Sequence, residues 1–299
     1  MKIATIITCF NRKEKTLKCL TSLFHALDIY NSNAVNKIEL SIYLTDDGCT
    51  DGTCNAIRSS FNDKDITILQ GTGNLFWAGG MRYAWKEALH KHDEWDFYLL
   101  LNDDTFMKEN CFFQLLDANC YSQIKYKMQG IYSGVTCDIV DNNKITYGGC
   151  VWKNYLLGTT IPLIPNGIPQ KCDKANANIL LVSKSVVNTI GIFWDGYTHI
   201  GADYDYSLQC NKHKIPVLIT SEICGFCEYD HRNPEEEKEK VLSMTLNERR
   251  AYFNHPLHPD EDRLKFKKRN TPLRYPIGVI GRFLNLYFPK IYYFLDKLR

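Results

Sequence analysis

The chain has 299 residues, 44% of them hydrophobic, and a formal net charge of +2. That length holds one large domain or two small ones, the apolar fraction excludes a disordered chain, and the near-neutral balance argues against nucleic acid as a partner. The charge is uneven, however: from Arg263 to Arg299 ten Lys and Arg stand against the single acid Asp296, a local +9 that leaves −7 on the first 262 residues.

Lys2 to Cys9 is a short apolar run rich in Ile and Thr, which predicts a buried strand. Asn11 to Ile29 carries Leu17, Leu20, Leu23, Phe24 and Leu27 at helical spacing. Ile38 to Thr45 predicts the next strand, and Asp51-Gly52-Thr53 opens a helix with Asp51 as its N-cap. Ile66 to Leu69 reads as a third strand, Gly79 to His90 as helix, and Phe97 to Leu101 as a fourth strand stopping at Asn102-Asp103-Asp104. Strand and helix alternating at this spacing predict a parallel sheet with crossover helices, in which ligands bind at the carboxyl ends of the strands.

The middle of the chain is less regular. Strands are expected at Met128–Thr136 and Ile179–Val182, with a hairpin over Ile145–Thr160 around Gly148-Gly149. Lys184–Ile190 and Ala202–His213 read as helices, Pro216–Thr220 and Ile223–Glu228 as two short strands, and Glu235–Phe253 as one charged helix. No internal repeat and no low-complexity segment interrupts this pattern.

Twelve cysteines sit mostly in apolar contexts, and Met1-Lys2 runs straight into Ile3-Ala4-Thr5-Ile6-Ile7 with no secretory signal, so reduced thiols in the cytoplasm are expected. Cys224-Gly-Phe-Cys227 has redox or zinc spacing, but without a second such pair it reads as two buried structural cysteines. No uncharged apolar run approaches the length of about 18 residues that a membrane span requires.

Four polar clusters follow predicted strands. Thr8-Cys9-Phe10-Asn11-Arg12 ends the first. Thr45-Asp46-Asp47-Gly48-Cys49-Thr50-Asp51-Gly52-Thr53 ends the second; its adjacent carboxylates need donors or a cation, and a tight turn plus an N-cap answers that need as well as a ligand does. Gly71 to Arg82, with Gly73, Asn74, Trp77, Gly79 and Gly80, leads from the third strand into a helix, where glycines and a helix N-terminus suit a phosphate. No Gly-Lys-Ser/Thr follows, so it is not a Walker loop. Leu99-Leu100-Leu101-Asn102-Asp103-Asp104 delivers two carboxylates to a strand tip, the kind of oxygen donor that magnesium or manganese accepts while staying open to substrate phosphates.

These four clusters, in this order, resemble the family-2 glycosyltransferases with the GT-A nucleotide-sugar fold, from residue 1 to about residue 231. Asp46 to Thr53 is similar to that family's nucleoside-binding turn, and Asn102-Asp103-Asp104 to its aspartate metal motif, with Asn in place of the first acid. The glycine-rich Gly73–Gly80 loop is similar to a donor-side loop of a bacterial branch that makes surface polysaccharides, rhamnosyltransferases among them. Phe193 to Asp205 closely resembles that branch's acceptor-side motif. The resemblance implies an α/β, mostly parallel sheet flanked by helices, and an inverting, Mn²⁺- or Mg²⁺-dependent transfer from a nucleotide-sugar to a glycan or lipid-linked acceptor. It implies donor contacts at Thr8, Phe10, Asn11, Arg12, Asp46, Asp47, Gly73, Asn74, Trp77, Gly79, Gly80, Arg82 and Asp103. Asp104 and a late histidine, His231, are implied as metal ligands, and Asp203 as the general base that takes the acceptor hydroxyl's proton. Trp194 and Asp205 lie on the acceptor side; Trp194 suits sugar stacking or the core, and Asp205 suits solvent or a local backbone. Two other readings stand beside this one: a nucleotidyltransferase, which lacks its basic glycine loop here, and a non-catalytic binding relative, which has no use for Asp104 and Asp203.

The expected organisation is a catalytic domain over 1–233, with a nucleotide-sugar half at about 1–105 and an acceptor half at about 106–233, and a helical extension over 234–299. The extension joins Arg263, Lys265, Lys267, Lys268 and Arg269 to an aromatic-rich amphipathic stretch. Such a stretch serves the cytoplasmic face of an anionic membrane, or it packs on the catalytic domain or on a second subunit of an oligomer.

Overall fold

The computed structural model describes residues 1–91, 95–229, 233–258 and 260–296. The amino-terminal half runs β1 (Lys2–Cys9), α1 (Lys13–Asn33), β2 (Glu39–Asp46), α2 (Thr53–Ser60), β3 (Ile66–Gln70), α3 (Phe76–Lys91) and β4 (Phe97–Leu101). There follow β5 (Phe106–Met107), α4 (Cys111–Tyr126), β6 (Ile131–Cys137), β7 (Ile145–Tyr147), β8 (Gly149–Asn154), β9 (Thr159–Pro162), β10 (Gln170–Lys171), β11 (Lys174–Ala175) and β12 (Ile179–Ser183). The chain closes with α5 (Lys184–Ile190), α6 (Ala202–Lys212), β13 (Val217–Phe226), α7 (Pro234–Ser243), α8 (Leu246–Asn254), α9 (Asp260–Asn270), a 3₁₀ turn (Pro272–Arg274), α10 (Tyr275–Tyr287) and α11 (Pro289–Asp296).

The main sheet has the order β10-β13-β6-β12-β4-β1-β2-β3. β1 pairs in parallel with β2 and β4, β2 with β3, and β6 with β13, while β12 runs antiparallel between β4 and β6. The continuous apolar runs of β1, β4 and β12 arise because both faces of these strands are covered. Ala4, Ile6, Tyr98, Leu100, Leu180 and Val182 face one core under α3, α5 and α6; Ile3, Ile7, Leu99, Leu101, Ile179 and Leu181 face a second under α1 and α4. The parallel strands β1, β2 and β4 therefore end on one side. The antiparallel β12 begins there, and Asn102 N–H donates to Asn178 O at 3.1 Å.

Several elements differ from expectation. The hairpin of 145–160 is two elements: β7 joins the main sheet on β6, and the chain then crosses to a small sheet β11-β8-β9, so the turn falls at 155–158. The two strands expected over 216–228 are one, β13, its pairing interrupted between Ile219 and Ile223, where Thr220 Oγ1 donates to Glu222 O at 2.9 Å. Residues 235–253 break into two helices because Thr245 and Glu248 form a capping box. The N-cap of α2 is Gly52, at φ +80°; Asp51 acts one residue earlier, its carboxylate accepting Thr53 N–H at 3.1 Å. Cys224 and Cys227 are buried thiols, as expected, and all twelve cysteines are free.

Candidate active site

At the carboxyl ends of β1 and β4 and the start of β12 lies a cleft of about 520 Å³. Of the residues singled out from the sequence, Arg12, Trp77, Asp103, Asp104 and Asp203 line it. His231 lies outside the described residues.

The tip of β4 carries the charge. Asp103 is 6% exposed and Asp104 only partly covered. Burial, then the neighbouring charge of Asp104, push the Asp103 carboxyl up to about 7 against the pull of Arg12. Arg12 Nη1 lies 2.5 Å from Asp104 and 3.5 Å from Asp103, and Thr16 Oγ1 donates to Asp103 at 3.4 Å. Asn102, which stands where the resembling family has an acid, accepts the Trp77 indole N–H at 2.8 Å and so fixes that ring. Among the described residues no group of three or more His, Cys, Asp or Glu is placed to hold a metal ion. The Asp103–Asp104 oxygens are of the kind that suits a hard divalent cation taking its remaining ligands from a substrate.

Across the cleft Asp203 stands in the first turn of α6. Burial pushes its carboxyl up to about 6, although the N–H groups of Tyr204 at 2.8 Å and Ala177 at 3.4 Å hold the charged form. A carboxylate of that basicity is a competent proton acceptor near neutral pH.

The other residues sit elsewhere. Asp46 accepts from Gly48 N–H at 3.1 Å, Cys49 N–H at 2.7 Å and Cys54 Sγ at 2.8 Å. Asp47 accepts from Gly73 N–H at 2.9 Å, Leu75 N–H at 3.2 Å and Phe76 N–H at 2.9 Å. Asp47 thus caps α3, so the helix N-terminus expected to greet a phosphate is already occupied by this carboxylate. Gly79 and Gly80 lie inside α3; a Cβ on Gly80 would come 2.2 Å from Thr8 Oγ1, so Gly80 serves close packing of α3 on β1. Phe10 is 54% exposed, and Asn11 Oδ1 accepts Thr50 N–H at 2.7 Å, bracing the first cluster against the second. Asn74 N–H donates to Thr72 Oγ1 at 3.3 Å. Arg82 Nη1 donates to the carbonyls of Trp194 (3.2 Å) and Tyr197 (2.7 Å), which positions the loop before Asp203. Trp194 lies under the Arg269 guanidinium at 4.8 Å. Asp205 is 2% exposed and accepts from Arg269 Nε at 2.9 Å and Asn270 Nδ2 at 2.6 Å, so it holds the extension.

Tyr147, Asn176, Asn178, His199, Tyr204, Cys227, Asp262, Arg263, Phe266, Lys267 and Arg274 also line the cleft and were not singled out as site residues in the sequence. They come from irregular strands and from α9, whose approach to the site no local pattern announces.

The model of the family described as Glycosyl transferase family 2 matches residues 4–122. No curated protein sequence matches the chain. S. aureus TarS 1–349 superposes with a TM-score of 0.51 at 14% identity, covering 96% of this chain and 81% of that one. The same protein in complex with UDP-GlcNAc superposes at 0.54 and 13% identity, covering 96% and 79%. The mannosyltransferase PcManGT from Pyrobaculum calidifontis, in complex with GDP-Man and Mn²⁺, superposes at 0.51 and 14% identity, covering 95% and 70%. These likenesses show the fold, and the family model matches residues 4–122, fewer than half of the chain's 299 residues.

Proposed function

We propose that the chain is an inverting, metal-dependent transferase that moves a sugar from a nucleotide-sugar to a glycan or lipid-linked acceptor in cell-surface polysaccharide synthesis. The observation that carries this reading is the opposition, in one cleft, of Asp203 with its raised carboxyl and the Asp103–Asp104 tip. Asp203 takes the acceptor hydroxyl's proton as the oxygen attacks the anomeric carbon from the face opposite the diphosphate. Asp104, with Asp103 beside it, would hold Mn²⁺ or Mg²⁺, which when bound supplies positive charge to the leaving diphosphate. Arg12 occupies the same ground and balances the acids when the donor is away. Trp77, fixed by Asn102, forms the cleft wall between the two groups of acids. The catalytic domain of 1–233 then needs part of the 234–299 extension to complete its acceptor wall.

Peripheral contact with the cytoplasmic face of a membrane belongs to the same proposal. No described helix is long and apolar enough to cross a membrane. α10 and α11 nonetheless expose Ile277, Ile280, Phe283, Ile291 and Phe294, an apolar face suited to an interface.

A thermal-shift screen of UDP- and GDP-sugars with manganese tests the donor claim, because a ligand that binds only the folded state raises the melting temperature. Stabilisation by one nucleotide-sugar, lost on chelation, is expected. Indifference to every nucleotide-sugar would overturn the reading.

A further inference from the structure

Residues 191–201 form neither helix nor strand, yet they carry the chain into α6 and Asp203. Backbone groups in such a loop need partners from elsewhere in the molecule. Two helices supply them. Arg82, on α3, donates to the carbonyls of Trp194 and Tyr197. Asp262, on α9 and 2% exposed, takes the next three amides: it accepts N–H from Thr198 at 3.1 Å, His199 at 2.8 Å and Ile200 at 3.2 Å. Successive amides that converge on one anion form a nest, and hydrogen bonds to a charged acceptor are stronger than those between neutral groups. Burial holds the Arg82 guanidinium below its usual value, while the charges of Asp195 and Asp262 act in the opposite sense, so the two clamps attract each other across the loop.

α9 meets the same region at further points. Gly201, the N-cap of α6 at φ +84°, lies against Phe266, whose ring a Cβ at 201 would meet at 3.5 Å. Arg269 Nε and Asn270 Nδ2 donate to Asp205 at 2.9 Å and 2.6 Å, and the Arg269 guanidinium covers the Trp194 ring. Asp262, Phe266, Arg269 and Asn270 are spaced i, i+4, i+7 and i+8, so they share one face of the helix. The contacts of that face bracket Asp203, fixing residues 198–201 before it and Asp205 after it.

Resting on the transferase reading above, we propose that Asp262 is a positioning residue for the transfer: it fixes the loop from which Asp203 enters the cleft, so a helix of the extension sets the aim of the general base. Asp262 lines that cleft too, but both of its oxygens accept loop amides, so it acts through the loop. A misplacement of about 1 Å in such an aim costs on the order of 100-fold in rate.

The test compares the full chain with its Asp262→Ala and Asp262→Asn variants. Hydrogen exchange needs no substrate: in Asp262→Ala the amides of residues 198–205 should exchange faster, while β1 and β4 keep their protection. Release of UDP or GDP is then followed with Mn²⁺ and the UDP- or GDP-sugar that most raises the melting temperature, water standing in for the acceptor hydroxyl. Asp262→Ala should lower kcat by about 100-fold and leave KM for the nucleotide-sugar unchanged. Asp262→Asn, which keeps the size and one acceptor oxygen, should lose less, and it carries the test if the Ala variant folds poorly. In an Asp203→Asn background the same substitutions should cost little further, because residues that act as a unit are not additive. Unchanged turnover in both variants, or equal losses with and without Asp203, overturns the positioning role alone. If no UDP- or GDP-sugar binds, the transferase reading itself falls, and the role that rests on it falls too.

Discussion

Two pairs of adjacent aspartates stand at the ends of parallel strands on either side of β1, and they have opposite fates. Asp46 and Asp47, after β2, accept six donor groups from the surrounding turn, five of them backbone amides, and stay out of the cleft. Asp103 and Asp104, after β4, meet among the described residues the Arg12 guanidinium, the Thr16 hydroxyl and the Cys227 thiol, none of these a backbone amide, and face the cleft. The residue pattern is the same; the difference lies in whether the adjoining loops, 48–49 and 73–76 for the first pair, supply amides. A satisfied carboxylate pair builds the turn, whereas a pair open to a cleft is available to a ligand.

The largest effect is expected opposite the second pair. Asp203→Asn keeps size and removes proton-accepting power, so turnover should fall by ~10²–10⁴-fold with donor affinity little changed. In the wild type the acid limb of kcat/KM should have a midpoint near 6, the value to which burial raises this carboxyl, and the variant should lack that limb. The sign for stability is opposite to that of a salt-bridged acid. A raised folded value contributes stability that is present below the ordinary carboxylate range and lost as pH rises through about 6. The Asn variant should therefore melt no lower than wild type at pH 7. Near-wild-type turnover would transfer the base role to another group.

Next in size is the metal arm. EDTA should reduce transfer by about 100-fold or more, with manganese or magnesium restoring it, on the scale of a lost electrostatic stabiliser. Asp104→Asn should weaken nucleoside diphosphate binding only when the metal is present. Full activity in EDTA would leave the Asp103–Asp104 pair as a partner of Arg12 and nothing more.

The first pair predicts the reverse signature. Asp47→Ala strands three amides of the Gly73–Phe76 loop and uncaps α3, at about 2 kcal/mol or more. A melting temperature lower by several degrees is expected. A variant that melts like wild type yet loses nucleotide binding would show that Asp47 meets the donor directly and would erase the contrast between the pairs.

These contrasts also mark what was legible in the sequence. β1, β2, β3 and β4 with their crossover helices follow from apolar runs and 3.6-residue spacing, and the strand tips that carry Asp103, Asp104 and Arg12 follow with them. α4 was missed: Asn110 makes no side-chain cap, and the helix ends on Lys127 at φ +59° rather than on a glycine. The roles of Asp205 and Asp262 were invisible because their partners lie about sixty residues away in sequence. No periodicity reports that Arg263, Lys267 and Arg274 meet Asp203, since only the folded chain brings α9 to the end of the sheet.

The smallest effect belongs to the exposed end of the extension, where charge is neither buried nor bonded into the site. Arg269 must be left intact in any test there, because its ion pair with the buried Asp205 makes its loss a structural change. Lys268 and Lys290 are exposed instead, near an apolar face where Ile280, Phe283 and Phe294 are 59%, 52% and 65% exposed. If that face lies on an anionic membrane, the protein should co-sediment with phosphatidylglycerol vesicles and less with phosphatidylcholine. Added salt should weaken the binding, since exposed charges are screened over ~8–10 Å near physiological ionic strength. Lys268→Glu with Lys290→Glu should reduce it by roughly 1 kcal/mol or somewhat more per residue, with an unchanged melting temperature because solvated charges contribute little to stability. Phe283→Asp should reduce binding to both kinds of vesicle, because it removes the apolar contribution that does not depend on lipid charge. Absence of vesicle binding, with a lower melting temperature or a changed oligomeric state on deleting residues from Tyr275 onward, would assign the face to protein packing. The acceptor wall of 260–274 would stand in either case, because its bonds to the 198–205 loop do not pass through α10 or α11.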